Sequence, residues 1–315
     1  MNLRDITNRL TGAFGYSLVK EFEIEDLLSI LRAHAIPNIS NREMPIAEAV
    51  VFSKDRALQL HALLSSYFEQ VKNFAPVHLF YDSSSVEHQK SYHELIELFG
   101  DRIATINSGT PFRDKLIDIL YSIGAPKVFF LVDDDLFIDK IDMLDLCKFD
   151  SSIFVPSLRL GQNLTYNYIY NKNQPLPPFH NEVIDDNKFL CWKWSEGSLD
   201  WRYIFSVDGN LFSSNEIRAM AARIQFNAPN SFEYALLRFW WAFQFRYGIA
   251  YHKARIVNIP CNRVQTEVDN IKGNVHQDFL LEQWNKGMQM DYRSLYGKIN
   301  ISAHQDLEYG FTKRI

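Results

Sequence analysis

The sequence KVFFLVDDD, residues 127–135, places a short apolar run directly before three aspartates. Such a run favours a buried strand, so residues 127–132 are predicted to form one. Side chains of an extended chain alternate between two faces, and Asp133 and Asp135 are therefore expected to point one way and Asp134 the other. Two converging carboxylates repel each other, and a hard divalent cation such as Mn2+ or Mg2+ relieves that repulsion. The segment predicts a metal site formed by Asp133 and Asp135.

A simpler interpretation of the three aspartates stays open, in which they form a solvated acidic loop after the strand. A bare Asp-x-Asp pair occurs often by chance, but the apolar strand directly before this pair favours the metal site. A cation held there also grips a diphosphate and neutralises charge as a phosphate leaving group departs.

Outward from this segment, predicted strands alternate with predicted amphipathic helices. The strands are residues 47–52, 77–81 and 103–106, and the helices follow residue 56 and span residues 86–99 and 116–121. This alternation predicts an α/β fold with a mostly parallel central sheet and helices on both faces. Ligands of such sheets bind outside the carboxyl ends of the strands, where residues 53–56, Asp82 and the three aspartates all fall.

The pattern is less regular in the second half of the chain. Residues 152–158, 201–207 and 255–259 are predicted as strands, and residues 213–223 and 231–247 as helices. A long polar segment rich in asparagine and proline lies between the first two of these strands, and segments of this kind are usually functional or mobile. Residues 1–45 and 266–315 are predicted to form helical extensions at the two ends.

Composition excludes several classes of protein. The apolar fraction is 47% and the formal net charge is −5, without a basic block, so the sequence does not indicate a nucleic-acid partner. No apolar stretch approaches the roughly 20 residues of a membrane span, and the first residues lack the apolar core of a signal peptide. The chain is therefore expected to be cytoplasmic, which leaves peripheral membrane contact open. Three scattered cysteines, Cys147, Cys191 and Cys261, fit a reducing compartment.

Three stretches carry a resemblance to a known family. VVFSKDRALQL (residues 50–60), VHLFYD (residues 77–82) and the strand that ends in Asp-x-Asp resemble the donor-binding half of GT-A fold glycosyltransferases, in particular bacterial, family-2-like enzymes. The resemblance covers roughly residues 46–265 and is strongest before residue 140. It implies a Rossmann-like unit in which residues 46–150 bind a nucleotide-diphosphate sugar and residues 151–265 bind the acceptor.

In that family the loop after the first strand holds the nucleoside, and the resemblance assigns this role to Ser53, Asp55 and Arg56. Helix capping by Asp55 is the alternative. Asp82 matches a position that touches the base or the ribose, or else it bonds its own backbone as a loop aspartate.

The resemblance also implies contacts to the diphosphate. Lys115 and Arg113 match a segment that often carries a basic residue near it, although a solvated helix start is the alternative and is favoured for Arg113. Asp134 is assigned to the donor as well. A late segment that closes the metal site suggests Asn262 as a ligand and Arg263 as a phosphate partner, whereas the family more often uses a histidine there.

Inverting members of the family carry a catalytic carboxylate at the start of a helix in the acceptor half. Glu233 matches this position and is the first candidate for the general base, with Asp208 as its rival and Asp200 as a weaker third. Glu233 also fits a capping box with Asn230, and Asp208 fits a turn before a glycine. Trp194 and Trp201 are expected in the core rather than stacked on a sugar.

The resulting prediction is a metal-dependent glycosyltransferase, in which inversion is the mechanism considered and hexosyl or related groups are transferred to a saccharide or lipid-linked acceptor. Synthesis of a bacterial surface polysaccharide is the setting that the family suggests. Two alternatives remain: a sugar nucleotidyltransferase, which the absence of a glycine-rich loop after the first strand disfavours, and an inactive nucleotide-sugar-binding module. The oligomeric state is not predicted.

Overall fold

The structure is a computed structural model that describes residues 21–36, 45–107, 111–184, 187–260 and 276–314. The helices are α1 (Glu21–Ala35), α2 (Ala57–Gln70), α3 (Val86–Phe99), α4 (Phe112–Ser122), α5 (Met143–Cys147), α6 (Ser214–Ala222), α7 (Pro229–Leu236), α8 (Trp240–Phe243) and α9 (Gln277–Asn285).

The strands, in chain order, are β1 (Ala47–Lys54), β2 (Val71–Lys72), β3 (Val77–Asp82), β4 (Ile103–Asn107), β5 (Lys127–Val132), β6 (Asp135–Phe137), β7 (Ile141–Asp142), β8 (Phe154–Pro156), β9 (Tyr166–Asn167), β10 (Lys172–Asn173), β11 (Phe189–Lys193), β12 (Leu211–Ser213), β13 (Tyr247–Tyr251), β14 (Ile256–Asn258), β15 (Met288–Met290) and β16 (Phe311–Lys313).

The central sheet has five strands in the order β12-β5-β1-β3-β4. β1 lies parallel to β3 and β5, β4 lies parallel to β3, and β12 is the antiparallel edge. The predicted α/β fold with a mostly parallel sheet is therefore confirmed. Because parallel strands need crossover connections, α2, α3 and α4 follow β1, β3 and β4 in turn.

The two faces of the sheet belong to two separate hydrophobic cores. Along β1, Ala49 and Val51 pack into one core, and Val50 and Phe52 pack into the other. A strand that is buried on both faces needs a continuous apolar run rather than an alternating one, which is the pattern read from the sequence. The predicted helices on both faces follow from this packing.

Three predictions for the second half need correction. Residues 201–207 do not form a strand, because the chain passes through a 3-10 helix at Leu199–Arg202 and a series of turns before β12. The predicted helix over residues 231–247 is divided into α7, a 3-10 turn at Leu237–Phe239 and α8. Among the described residues of the C-terminal extension, 276–314, the helical parts are α9 and the 3-10 turn Tyr292–Leu295, and β15 and β16 form an antiparallel pair.

Of the predicted N-terminal extension, residues 1–20 and 37–44 lie outside the described residues, and the helix α1 packs against α6 through buried charges. Asp26 is fully buried and accepts hydrogen bonds from Arg223 at 2.7 Å and from Arg238 at 2.7 and 3.0 Å. Glu216 is also fully buried and is paired with Arg246 and His34. Breaking one partner of a buried pair is strongly destabilising, so α1 is an integral part of the fold.

Replacing Gly248 by alanine is expected to destabilise the protein by about 3 kcal/mol through overpacking. Gly248 lies opposite Trp192 in the β11–β13 pair, and a Cβ atom there would stand 2.1 Å from Cζ2 of that buried ring. Chemical denaturation measures the effect. Gly310→Ala is the matched control, since no heavy atom lies within 4 Å of its new Cβ. Equal stability of the two variants would contradict the packing described for Trp192.

Candidate functional site

The three aspartates lie in a tight turn and not in an extended strand. β5 ends at Val132, residues 133 and 134 form the turn, and Asp135 begins β6, where it pairs with Asn258 of β14. The alternation expected from a strand therefore does not apply, and the prediction that Asp134 points away from its neighbours is wrong. Asp134 and Asp135 share one hydrogen-bond donor, the amide of Asn258, at 2.9 and 3.2 Å.

Asp133 is joined to the end of β1 and to the loop that follows it. Its carboxylate accepts hydrogen bonds from Ser53 Oγ at 2.8 Å and from the backbone N–H of Lys54 at 3.1 Å. The guanidinium of Arg56 bridges Asp133 at 2.9 Å and Asp134 at 3.0 Å. Ser53 and Arg56 thus lie beside the aspartates, because the ends of the adjacent parallel strands β1 and β5 bring the two loops together.

Negative charge in this turn is only partly compensated. Burial raises the pKa of Asp133 to about 6; the Arg56 guanidinium opposes the rise and the Asp134 carboxylate adds to it. Burial also raises the pKa of Asp135 well above its usual value, and the charges of Asp208 and Asp134 add to it. These sites disfavour the ionised form, and added positive charge would favour it.

The donor chemistry of the turn fits a hard cation, since Asp133 and Asp135 offer carboxylate oxygens and Asn258 an amide oxygen. Among the described residues, however, no group of three or more His, Cys, Asp or Glu side chains is arranged to hold a metal ion. The metal site therefore stays a prediction. Asn262 and Arg263, its predicted late partners, lie outside the described residues.

A second polar cluster surrounds Arg159, which is buried just after β8. Its guanidinium donates to Asp208 at 2.7 Å, to Asp200 at 2.8 Å and to Ser206 Oγ at 2.9 Å. Asp200 also accepts from the side-chain amides of Asn167, at 2.9 Å, and Gln174, at 3.1 Å. Asp200 is thereby held by three donors, a structural role rather than that of a base.

Asp208 lies in a turn before Gly209 and does not end a strand, which corrects the predicted element and confirms the turn alternative. Gly209 has a φ of 84°, and its N–H donates to the carbonyl of Phe130 in β5 at 2.8 Å. Asp208 therefore lies near the carboxyl end of β5. His304, 3.6 Å from Asp208, approaches from the segment that bridges Asn258.

Glu233 is half-buried on α7 and points to this second cluster. It accepts a hydrogen bond from the N–H of Val207 at 3.1 Å, and the hydroxyl of Tyr203 also bonds its carboxylate. The capping-box alternative for Glu233 is wrong, because Ser231 Oγ accepts from the N–H of Ala228, the N-cap of α7, at 2.9 Å. Burial raises the pKa of Glu233 to about 7, and the charge of Asp208 adds to the rise.

The remaining donor-side candidates are placed less centrally. Asp55 has a φ of 55° and accepts from the N–H of Ser84 at 2.7 Å, whereas Arg56 is the N-cap of α2, so the capping alternative for Asp55 is wrong. Asp82, with 43% of its side chain exposed, pairs with Lys54 at 3.1 Å. Asp55 follows β1 and Asp82 ends β3, so both lie at the carboxyl ends of these adjacent strands.

The phosphate candidates on α4 and the aromatic candidates differ in their contacts. Arg113 donates to the carbonyl groups of Ala222 and Ile224 at the end of α6, so the alternative of a solvated helix start is wrong for it. Lys115 is exposed on α4, and its phosphate contact stays a prediction. Trp194 and Trp201 are fully buried, which confirms core packing for both.

Sequence reasoning missed four residues of the site: Arg159, Tyr203, Asn258 and His304. None lies in a local motif, and each reaches the site only through tertiary contacts. A partial signal was present, since Asn258 is the polar end of an apolar strand and the resemblance called for a histidine late in the chain.

Comparison with known proteins gives one sequence relative and several structural likenesses. Residues of this chain are 26% identical over 210 residues to the bifunctional glycosyltransferase pgtA of Dictyostelium discoideum, an alignment that covers 59% of this chain and 27% of that protein. The chain thus spans about a quarter of the length of this relative. No family model matches the chain.

Among solved structures, the mannosyltransferase PcManGT from Pyrobaculum calidifontis, in complex with GDP-Man and Mn2+, is 16% identical over 51% of this chain and 48% of its own, with a TM-score of 0.28. S. aureus TarS 1-349, in complex with UDP-GlcNAc, is 13% identical over 66% and 57%, with a TM-score of 0.39. The fold assignment rests on the strand order given above. No helix among the described residues is long and apolar enough to cross a membrane.

Proposed function

We propose that this protein is a glycosyltransferase that moves a sugar from a nucleotide-diphosphate donor to a saccharide or lipid-linked acceptor. The observation that carries the proposal is the meeting of Asp133, Asp134 and Arg56 at the carboxyl ends of β5 and β1, where open α/β sheets bind ligands. The similarity to a bifunctional glycosyltransferase over 210 residues supports it.

On this proposal, Ser53, Asp55 and Asp82 lie where the nucleoside binds, and Arg56 lies where it can meet the diphosphate. Asp133 and Asp135, assisted by Asn258, would hold Mn2+ or Mg2+, which supplies charge neutralisation for the departing nucleoside diphosphate. Arg56 changes partner when donor binds, since a guanidinium pairs strongly with phosphate as well as with carboxylate.

Glu233 is the proposed general base. It would take the proton of the acceptor hydroxyl as that oxygen attacks the anomeric carbon, and the bond to the diphosphate breaks. A pKa of about 7 suits a base that works near neutral pH, whereas Asp208 and Asp200 are occupied by Arg159. A base on the acceptor side, opposite the leaving group, is the arrangement of an inverting enzyme.

Isothermal titration with UDP, GDP, CDP, ADP and dTDP tests the proposal, each with and without Mn2+. We expect one or two of these nucleotides to bind, with an affinity that falls when the metal is chelated. Radiolabelled donor sugars of the binding nucleotide then report hydrolysis without an acceptor. Absence of heat with every nucleotide would refute the proposal, and binding without hydrolysis or transfer would favour an inactive binding module.

A further inference from the structure

The polar cluster around Arg159 contains more negative charge than its one guanidinium can balance. Burial lowers the pKa of Arg159, but the charges of Asp200, Asp208, Glu233 and Asp135 outweigh it and raise the pKa. Arg159 is 3% exposed, and a charge so buried must be paired to persist. Two of the four carboxylates receive its hydrogen bonds, and two do not.

The hydrogen-bonded pair is fixed by geometry. The two terminal nitrogens of Arg159 are divided between Asp208, at 2.7 Å, and Asp200, at 2.8 Å. The backbone segments next to Arg159 and Asp208 are also paired with each other. The N–H of Leu158 donates to the carbonyl of Gly209 at 2.9 Å, and Ser157 forms a β-bridge with Asn210. Arg159 and the turn of Asp208 therefore form one hydrogen-bonded unit.

Glu233 stands outside that unit and faces it. The groups directed at its carboxylate are Asp208 and Arg159, which act through their charges, together with the hydroxyl of Tyr203 and the N–H of Val207, which bond it. Behind them, Asp200 and Asp135 face Arg159, and His304 faces Asp208. A nearby anion favours the protonated form of Glu233, and the guanidinium opposes that effect.

We propose that Arg159 is a positioning residue that binds Asp208 and Asp200 through its hydrogen bonds and leaves Glu233, which it does not bond, as the carboxylate that gains and loses the proton. This inference rests on the proposed function. In the reaction, Glu233 takes the acceptor proton as the glycosidic bond forms and the diphosphate leaves, and later releases that proton to solvent. Arg159 touches neither substrate; it sets the charge that Glu233 experiences.

Two measurements test the role of Arg159. The first requires no substrate. Melting temperatures are measured from pH 5 to 9 for the wild type and for Arg159→Gln, each with and without the additional change Glu233→Gln. In each background, the difference that Glu233→Gln makes is plotted against pH. The pH at which this difference changes reports the titration of Glu233 in the folded protein. We expect the midpoint to rise by about one pH unit or more in Arg159→Gln, because the opposing positive charge is gone.

The second measurement is the pH dependence of kcat and KM for the donor identified by titration. In Arg159→Gln, the pH midpoint of the acid limb of kcat should rise by about as much as the midpoint of the melting-temperature difference. The KM for the donor should stay within about threefold of the wild-type value, since no donor contact is lost. Arg159→Lys keeps the positive charge but cannot bond both carboxylates as the guanidinium does. The acid limb of kcat should therefore stay near the wild-type pH while the value of kcat falls. Arg246→Gln is the matched control, as it breaks another buried pair, with Glu216, but should not move the limb.

An unchanged midpoint and acid limb in Arg159→Gln, with a melting temperature lowered as in Arg246→Gln, would overturn the inference and leave Arg159 a purely structural residue. The same conclusion follows if Arg246→Gln moves the limb equally. Should the wild-type protein transfer no sugar, the proposed function fails, and the melting-temperature titration alone decides the effect of Arg159 on Glu233.

Discussion

Glu233→Gln is expected to lower the rate of sugar transfer by about 10²–10⁴-fold, the usual contribution of a positioned general base. The amide cannot take the acceptor proton, but it can still accept the hydrogen bond that the N–H of Val207 gives to Glu233. Donor affinity, measured by titration, should stay within about threefold, since Glu233 belongs to the acceptor side.

The wild-type rate should also depend on pH in a defined direction. The base works only when it is deprotonated, so kcat should rise with pH through about 7, the pKa to which burial raises Glu233. Glu182→Gln is the control, because Glu182 is an exposed carboxylate with 74% of its side chain accessible. This variant should change neither the rate nor its pH dependence. If Asp208→Asn abolishes transfer while Glu233→Gln does not, the roles of the two carboxylates are reversed.

Asp135→Asn is expected to weaken metal-dependent binding of the nucleoside diphosphate by roughly 100-fold or more, because it removes a proposed ligand rather than an outer partner, whose loss costs about 10–100-fold. The asparagine can accept the hydrogen bond that the N–H of Val132 gives at 3.0 Å. It also removes one of several closely spaced negative charges, so the melting temperature should not fall.

Asp139→Asn is the control for that variant, because Asp139 lies four residues further on and pairs with Arg255 away from the turn. Titration with and without Mn2+ distinguishes the two. Metal-dependent binding that survives in Asp135→Asn would place the cation elsewhere and remove the support that the acidic turn gives to the proposed function.

The part of the fold before residue 150 was predictable because its signals are local. β5 and α3 have the bounds that the sequence predicts, since each is an apolar or amphipathic run ended by polar residues. The part after residue 150 was not, because aromatic residues there satisfy tertiary packing. Trp201 reads as part of a strand, yet its ring is fully buried and its indole N–H donates to the carbonyl of Leu164, which fixes a 3-10 turn.

The candidate site divides in the same way. The positions of Ser53, Arg56 and Asp133 follow from the ends of adjacent parallel strands, a rule that needs only the strand assignment. The environments of Asp208 and Glu233 depend on Arg159, 49 residues before Asp208 in the chain, and no spacing rule connects them. The predicted direction of the Asp134 side chain was wrong because a two-residue turn replaces the expected extended backbone.

The antiparallel edge strand has a mechanical consequence. β12 pairs with β5, so the turn that carries Asp208 lies directly beside the strand that precedes the three aspartates. On the proposed function, the distance between these aspartates and the Asp208 turn, whose Val207 N–H bonds the proposed base Glu233, is set by neighbouring residue pairs of two adjacent strands. That spacing is therefore fixed by the backbone pairing at the edge of the sheet and not by the packing of side chains.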